Sequence, residues 1–275
     1  MRLLVKIGGA QLEQAGPRDA MCAAIAAARG DGHEVVVVHG GGNQIRSVTK
    51  AMGLVDRYHD GLRLTDAATA EVVLMVLGGL VNRTLVAALQ RAGVAAVGLC
   101  GADGGTFSAV QVTRPDVDLG FVGAVARTET RLVQTLLQHG HVPVLATVAP
   151  REGADGDEPF YNLNADHAAG PLCRAFGCDA LLFLTDVPGV LGADGQRLPA
   201  LTPARCDALV RDGIARGGML PKLDAALLAL RDNPQALVKI APGGHADAVR
   251  HALRDDVGTT FRLEPNPTTR ENHHG

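Results

Sequence analysis

The sequence predicts an α/β protein in which helices cover both faces of an open, mainly parallel β-sheet. Short apolar runs recur along the chain and are continuous rather than alternating, as strands are when both faces of a parallel sheet are buried. Helical patterns separate these runs almost throughout, which calls for right-handed crossovers. The 275 residues, 47% hydrophobic and 20% charged, leave ample core for one globular unit or two closely packed lobes.

The first strand is 2–7, RLLVKI, which stops at Gly8-Gly9. A helical pattern over 17–30 leads to a second strand, 34–38, whose valines run into Gly40-Gly41-Gly42. The triple glycine opens a helix over 43–53, and a longer one over 66–92 is capped by Thr65 or Asp66. After a strand at 95–99 the rhythm breaks. Over 104–127, Thr, Val and Phe alternate around an Arg114-Pro115-Asp116 turn, which reads as a β-hairpin projecting from the sandwich. A helix at 128–139 and a strand at 143–148 follow. The polar stretch PREGADGDEP, 150–159, then marks the passage between lobes, giving an N-terminal lobe of 1–160 and a C-terminal lobe of 161–265. The second lobe reads as helix 164–177, strand 180–185, helices 203–211 and 220–231, strand 236–241, helix 245–253 and strand 258–263. Residues 266–275 form a polar tail, in which His273-His274 is no designed metal site.

Composition excludes several function classes. A formal net charge of −3 argues against a general nucleic-acid binder, and the absence of Trp argues against a base-stacking platform. Cys22, Cys100, Cys173, Cys178 and Cys206 form no CxxC pair and are odd in number, so they read as thiols in a reducing cytoplasm. No stretch approaches the apolar length of a membrane span, and the start does not read as a signal peptide.

The glycines carry the first functional signal. Single glycines at strand ends usually mean tight turns. Three in a row before a helix bare backbone N–H groups at its N-terminus, an anion site, and Gly8-Gly9 supplies a second loop at the same sheet edge. Neither cluster fits a P-loop or a GxGxxG dinucleotide fingerprint. A lysine in an edge strand normally snorkels to solvent. Lys6, however, adjoins the double glycine, and Lys222 in GGMLPKLDAAL sits early in a helix, where a cation is unfavourable unless an anion binds nearby. YNLNADHAAG places Asn162, Asn164 and Asp166 at a helix start, ordinary capping residues by themselves, and Arg63 in DGLRLTDAAT would alone be a surface residue.

Taken in order, VKIGG, VHGGGNQI, GLRLTDAATAEVV, GLVNRTL, GLCGADGG, YNLNADHAAG, LLFLTDVPGVL and GGMLPK resemble the amino-acid kinase family over about residues 2–263. The likeness is greatest to the branch that phosphorylates N-acetyl-L-glutamate. It implies a three-layer αβα sandwich with an eight-stranded, mainly parallel open sheet, and a cytoplasmic homodimer built through the N-terminal lobe. The implied reaction transfers a phosphoryl group from ATP, with Mg²⁺, to the side-chain carboxylate of N-acetyl-L-glutamate in arginine biosynthesis. The resemblance assigns Lys6 and Lys222 to the transferring phosphoryl group and Asp166 to orienting both lysines. Gly41, Gly42, Arg63 and Asn162 would hold the acyl-amino acid. Thr185, Asp186, Gly189, Leu191, Ile214 and Gly218 would hold the nucleotide, with Gly8 and Gly9 near its phosphates. No residue is assigned to a resident metal, and no nucleic-acid or membrane partner is implied.

The chemistry of the residues agrees. A carboxylate nucleophile, with a solution pKa near ~4.3, is already ionised at neutral pH and needs no general base. Phosphoryl transfer needs in-line positioning and charge neutralisation, which two lysines and glycine-loop N–H groups suit. A sister kinase acting on carrier-protein-linked aminoadipate or glutamate is the nearest enzyme alternative. DGLRLT and the slightly acidic charge balance favour the free substrate. A non-catalytic amino-acid and nucleotide sensor is the alternative from another class, and retention of Lys6, Asp166 and Lys222 argues against it. Arginine-inhibited relatives carry an extra N-terminal helix that builds hexamers. Only five strand-like residues precede Lys6, so a dimer without arginine feedback is expected.

Overall fold

Apolar runs of β-branched residues and leucine form the centre of the fold, seen in a computed structural model that describes residues 1–154 and 156–263. In chain order, β1 (Arg2–Ile7) leads through a short α1 (Ala10–Glu13) and α2 (Ala15–Gly30) to β2 (Glu34–His39) and α3 (Gly42–Ala51). A small hairpin, β3 (Tyr58–His59) and β4 (Leu62–Arg63), precedes α4 (Ala67–Val73), a π-helical segment (Leu74–Val81) and α5 (Asn82–Arg91). Then come β5 (Ala96–Leu99), β6 (Phe107–Gln111), β7 (Val122–Thr128), α6 (Arg131–Gln138), β8 (Val142–Ala146), β9 (Val148–Ala149) and β10 (Tyr161–Leu163). The rest is α7 (Ala165–Ala175), β11 (Ala180–Thr185), β12 (Ala200–Leu201), α8 (Pro203–Arg211), α9 (Met219–Asp232), β13 (Leu237–Pro242), α10 (Ala248–Ala252) and β14 (Thr259–Phe261).

Eight strands form one sheet in the order β12-β14-β13-β11-β1-β2-β8-β5, parallel except where β13 meets β14. The sheet is continuous across the polar stretch 150–159, since β1 pairs with β11 in the register Lys6↔Phe183. Strand alternation splits its core into two layers. Leu3, Val5, Ile7, Val35 and Val37 pack with Met21 and Ile25 of α2, while Leu4, Val36, Val38 and Phe183 pack with Ala168 and Leu172 of α7 and Leu223 of α9. All seven strands expected from sequence are present, and β12 is the eighth.

Three local features differ from the sequence reading. The hairpin over 104–127 is half of a second, four-stranded sheet, β6-β7-β10-β9, because Asn162 and Leu163 pair with Val122 and Gly123. Phe107, Ala109 and Tyr161 bury its inner face. The helix of 66–92 begins at Asp66, whose side chain accepts the Thr69 N–H, and its middle has π register. That continuous helix, Ala67–Arg91, is also long and apolar enough to cross a membrane, which corrects the expectation that no stretch is. Half of its most apolar window is buried inside the fold, where Val72, Val73, Val76 and Leu85 join the core. The tail of 266–275 lies outside the described residues.

Candidate functional site

Lys6 is the next-to-last residue of β1, and alternation points it to the face that α7 covers. There Asn164 caps α7 by accepting the N–H groups of Asp166 and His167 at 2.9 and 3.2 Å. Asp166, in the first turn, meets Lys6 Nζ at 2.7 Å through Oδ1 and accepts from Lys222 Nζ at 3.3 Å through Oδ2. Lys222 is the fourth residue of α9, which begins after Gly218 without a side-chain cap. Lys6 is 4% and Asp166 7% exposed. Burial drags the Lys6 ammonium below the usual lysine range; Asp166 opposes that and Lys222 adds to it. Burial also pushes the Asp166 carboxyl up, but Lys6 and then Lys222 outweigh it and hold the group below the usual carboxylate range. Two cations on one anion leave an excess positive charge for a ligand.

The two glycine loops touch beside this triad. A Cβ on Gly9 would lie 3.1 Å from Gly41 Cα and Gly42 N and 3.2 Å from Gly41 N, so any larger residue would press the loops apart by a few tenths of an ångström. Gln44 Nε2 donates to Gly9 O at 3.2 Å and ties them together. No side chain caps α3 at Gly41, so its first N–H groups are available to an anion. A Cβ on Gly41 would meet Leu77 Cδ2 at 2.7 Å, which brings the π segment to the site.

Arg63 is delivered by the β3–β4 hairpin. Asp60 and Gly61 form its two-residue turn with φ of 48° and 78°, both in the left-handed region that suits the twist of paired strands. The guanidinium donates to Gly42 O at 2.8 Å, pairs with Asp56 and stands 4.8 Å from the centre of the Tyr58 ring. Asp56 also pairs with Arg46 at 3.1 Å. Burial, then the charge of Arg46, pull the Arg63 pKa down to about 10. Asn162, on β10, donates to Thr65 Oγ1 at 3.2 Å. Behind the triple glycine, the buried His39 ring contacts Gly40 O through Nδ1 and Asn82 Nδ2 through Nε2, each at 3.0 Å.

One cavity of about 600 Å³ gathers these groups. Of the residues predicted from sequence, Lys6, Gly8, Gly9, Gly41, Gly42, Arg63, Asn162, Asp166, Thr185, Asp186, Gly218 and Lys222 line it. Gly189, Leu191 and Ile214 do not. Gly189 packs against Thr259, Leu191 is exposed and bridges to Arg197, and Ile214 packs on the core. Sequence reasoning missed Tyr58 and Leu77, which line the cavity, and Asp56 and the His39–Asn82 pair, which support it. The Asp60-Gly61 turn signal could have located Tyr58, whereas nothing in the sequence marks a π register.

A cavity holding paired ammonium groups, uncapped helix starts and a buried guanidinium suits a polyanion together with a carboxylate. Known proteins share this frame. The chain is 45% identical over 260 residues to an acetylglutamate kinase of Solibacter usitatus, covering 94% of this chain and 98% of the relative. It is 44% identical over 250 residues to an acetylglutamate kinase of Koribacter versatilis, covering 90% and 93%. In fold it resembles the N-acetylglutamate synthase of Neisseria gonorrhoeae solved with coenzyme A and N-acetyl-glutamate, at a TM-score of 0.82 and 21% identity, covering 96% of this chain and 60% of that one. The family profile described as the amino acid kinase family matches residues 1–239, and with these relatives it establishes that the chain belongs to that family.

Proposed function

We propose that this chain transfers the γ-phosphoryl group of ATP to the side-chain carboxylate of N-acetyl-L-glutamate, releasing ADP and N-acetyl-L-glutamyl 5-phosphate in arginine biosynthesis. The observation that carries this reading is the Lys6–Asp166–Lys222 triad beside two touching glycine loops, in a chain so similar to acetylglutamate kinases.

The substrate carboxylate is ionised at neutral pH, so its oxygen attacks the γ-phosphorus directly and the β–γ bridging oxygen leaves with ADP. Lys6 and Lys222 neutralise charge on the moving phosphoryl group, and Asp166 holds the two ammonium groups a fixed distance apart. N–H groups at the start of α3 and of the Gly8-Gly9 loop add donors. Gly41, Gly42, Arg63 and Asn162 hold the acyl-amino acid, Arg63 as a planar fork for a carboxylate, with the Gly41 and Gly42 N–H groups placed where substrate and phosphoryl group meet. Thr185, Asp186 and Gly218 serve the nucleotide from the cavity wall, whereas the assignment of Gly189, Leu191 and Ile214 to it rests on the family resemblance alone. Among the described residues no group of three His, Cys, Asp or Glu side chains could hold a metal ion, and Asp166 is engaged by both lysines. A Mg²⁺ carried in with the nucleotide would supply further neutralisation of phosphate charge, and Asp186, an acidic residue lining the cavity, is the side chain that could help to hold it.

In this reading residues 1–160, joined by Asn162, bind the acyl-amino acid, and 161–265, joined by the Gly8-Gly9 loop, bind the nucleotide, on one shared sheet. Homodimerisation through the N-terminal lobe is supported by the exposed Met75 and Leu80 of the π segment and by the edge strand β5. A cytoplasmic setting is supported by five free cysteines. The test is coupled ADP release with N-acetyl-L-glutamate, L-glutamate, N-acetyl-L-aspartate and a carrier-protein-linked aminoadipate. Turnover is expected with the first; turnover with the carrier conjugate alone, or with none, overturns the reading.

A further inference from the structure

His39 is fully buried at the end of β2, directly before the triple glycine, and stands behind the cavity wall rather than lining it. Its hydrogen bonds define its tautomer. Asn82 Nδ2 carries two protons, one donated to Val144 O at 2.9 Å and the other to His39 Nε2 at 3.0 Å. Facing the Val144 carbonyl, the amide nitrogen is the end of Asn82 that can donate, which makes Nε2 of His39 an acceptor and leaves Asn82 Oδ1 buried without a hydrogen-bond partner among the described residues. The proton of the neutral ring then resides on Nδ1, which donates to Gly40 O at 3.0 Å. Burial holds the imidazole pKa down to about 4, so the ring stays neutral. Gly98 leaves the space Asn82 occupies, since a Cβ there would fall 1.9 Å from Asn82 Oδ1.

The Gly40 carbonyl and the Gly41 N–H belong to one trans peptide plane and point in opposite directions. With the carbonyl held by an imidazole in the interior, the Gly41 N–H is turned the other way. Among the described residues no group accepts it, and the nitrogens of Gly41 and Gly42 stand against Gly9 where the loops meet at the cavity. We propose that His39, held by Asn82, is a positioning residue that fixes the Gly40–Gly41 peptide and aims the Gly41 N–H at the transferring phosphoryl group. The catalytic consequence rests on the kinase reading above.

Two substitutions separate this role from core packing. In His39→Asn the amide nitrogen takes the place of Nδ1 and can still donate to Gly40 O, but the partner of Asn82 is lost. In His39→Gln the amide oxygen can reach the place of Nε2 and keep Asn82, but the bond to Gly40 is lost. With folding confirmed by urea unfolding, the expected result is that His39→Asn keeps kcat within about threefold, while His39→Gln loses about 10²-fold, the effect of one misdirected donor. Equal losses in both variants, or losses that follow stability alone, overturn the proposal. Nitrogen-15 NMR of the wild-type imidazole gives a readout independent of activity: Nδ1 protonated and Nε2 bare between about pH 5.5 and 8 is expected, and an Nε2–H tautomer overturns the proposal. Wild-type ADP release judges the kinase reading separately, so the two failures are distinguishable.

Discussion

Replacing Asp166 by Asn keeps the shape of the side chain and removes the only negative charge between two ammonium groups. At an effective dielectric constant of about 20, unit charges at 2.7 and 3.3 Å attract with about 6 and 5 kcal/mol before desolvation is counted. Net, breaking a buried pair by removing one partner costs about 3–5 kcal/mol, an upper bound here because Lys6 can escape by losing its proton. Burial already depresses the Lys6 pKa, and without Asp166 nothing opposes that or the repulsion from Lys222. Lys6 in the variant therefore sheds its charge as pH rises, whereas wild type keeps it over more of the range. The expected outcome is a fall in kcat of about 10²–10³, with a smaller change in the KM for N-acetyl-L-glutamate. The ratio of variant to wild-type kcat should climb as pH is lowered from about 9 to about 6, because acid restores the Lys6 charge. Coupled ADP release across that range, with urea unfolding of both proteins, measures this. A variant with kcat within about threefold of wild type, or with only KM raised, would refute the assignment of Asp166.

Arg63→Ala should raise the KM for N-acetyl-L-glutamate about 10- to 100-fold, the loss of a charge-assisted hydrogen bond, with a smaller change for ATP; the reverse pattern would move Arg63 to the nucleotide side. Gly9→Ala should lower kcat about tenfold by wedging the glycine loops apart, since its φ of −58° is open to alanine and only the contacts with Gly41 and Gly42 oppose it. Gly8→Ala, whose Cβ would meet nothing within 4 Å, is the steric control and should stay near wild type. Stability should also depend on His39, whose pKa is 6.5 in its ordinary state and about 4 when folded. The unfolded chain binds that proton first, so stability is level above pH 6.5, falls as pH drops toward 4, and has lost about 3 kcal/mol at the end. Urea titrations at stepped pH should show that slope in wild type and its flattening in His39→Asn.

Continuous apolar runs made the main sheet legible, because a strand buried on both faces has a composition that no surface segment shares. β12 and the β3–β4 hairpin have two residues per strand and too little sequence to show a period. The four-stranded sheet joins β10 to β7 across a long separation, so only tertiary packing creates it. Within the site, Lys6 stood out as a cation inside an apolar strand and Asp166 as a carboxylate at a helix start. The clamp on Arg63 was invisible, since Asp56, Tyr58 and Gly42 O converge only once the hairpin closes. His39 and Asn82 sit far apart in the chain, in two motifs whose link is a single hydrogen bond between β2 and α5.

The central claim is that a substrate carboxylate oxygen takes the phosphoryl group from ATP beside Lys6, Asp166 and Lys222. Its most direct test uses N-acetyl-L-glutamate labelled with oxygen-18 in the side-chain carboxylate, turned over with ATP and followed by phosphorus-31 NMR. An acyl phosphate whose phosphorus carries one labelled bridging oxygen, formed by wild type and lost in Lys6→Ala and Lys222→Ala, is the predicted result. ADP accompanied by unlabelled inorganic phosphate, with no acyl phosphate formed, would contradict it.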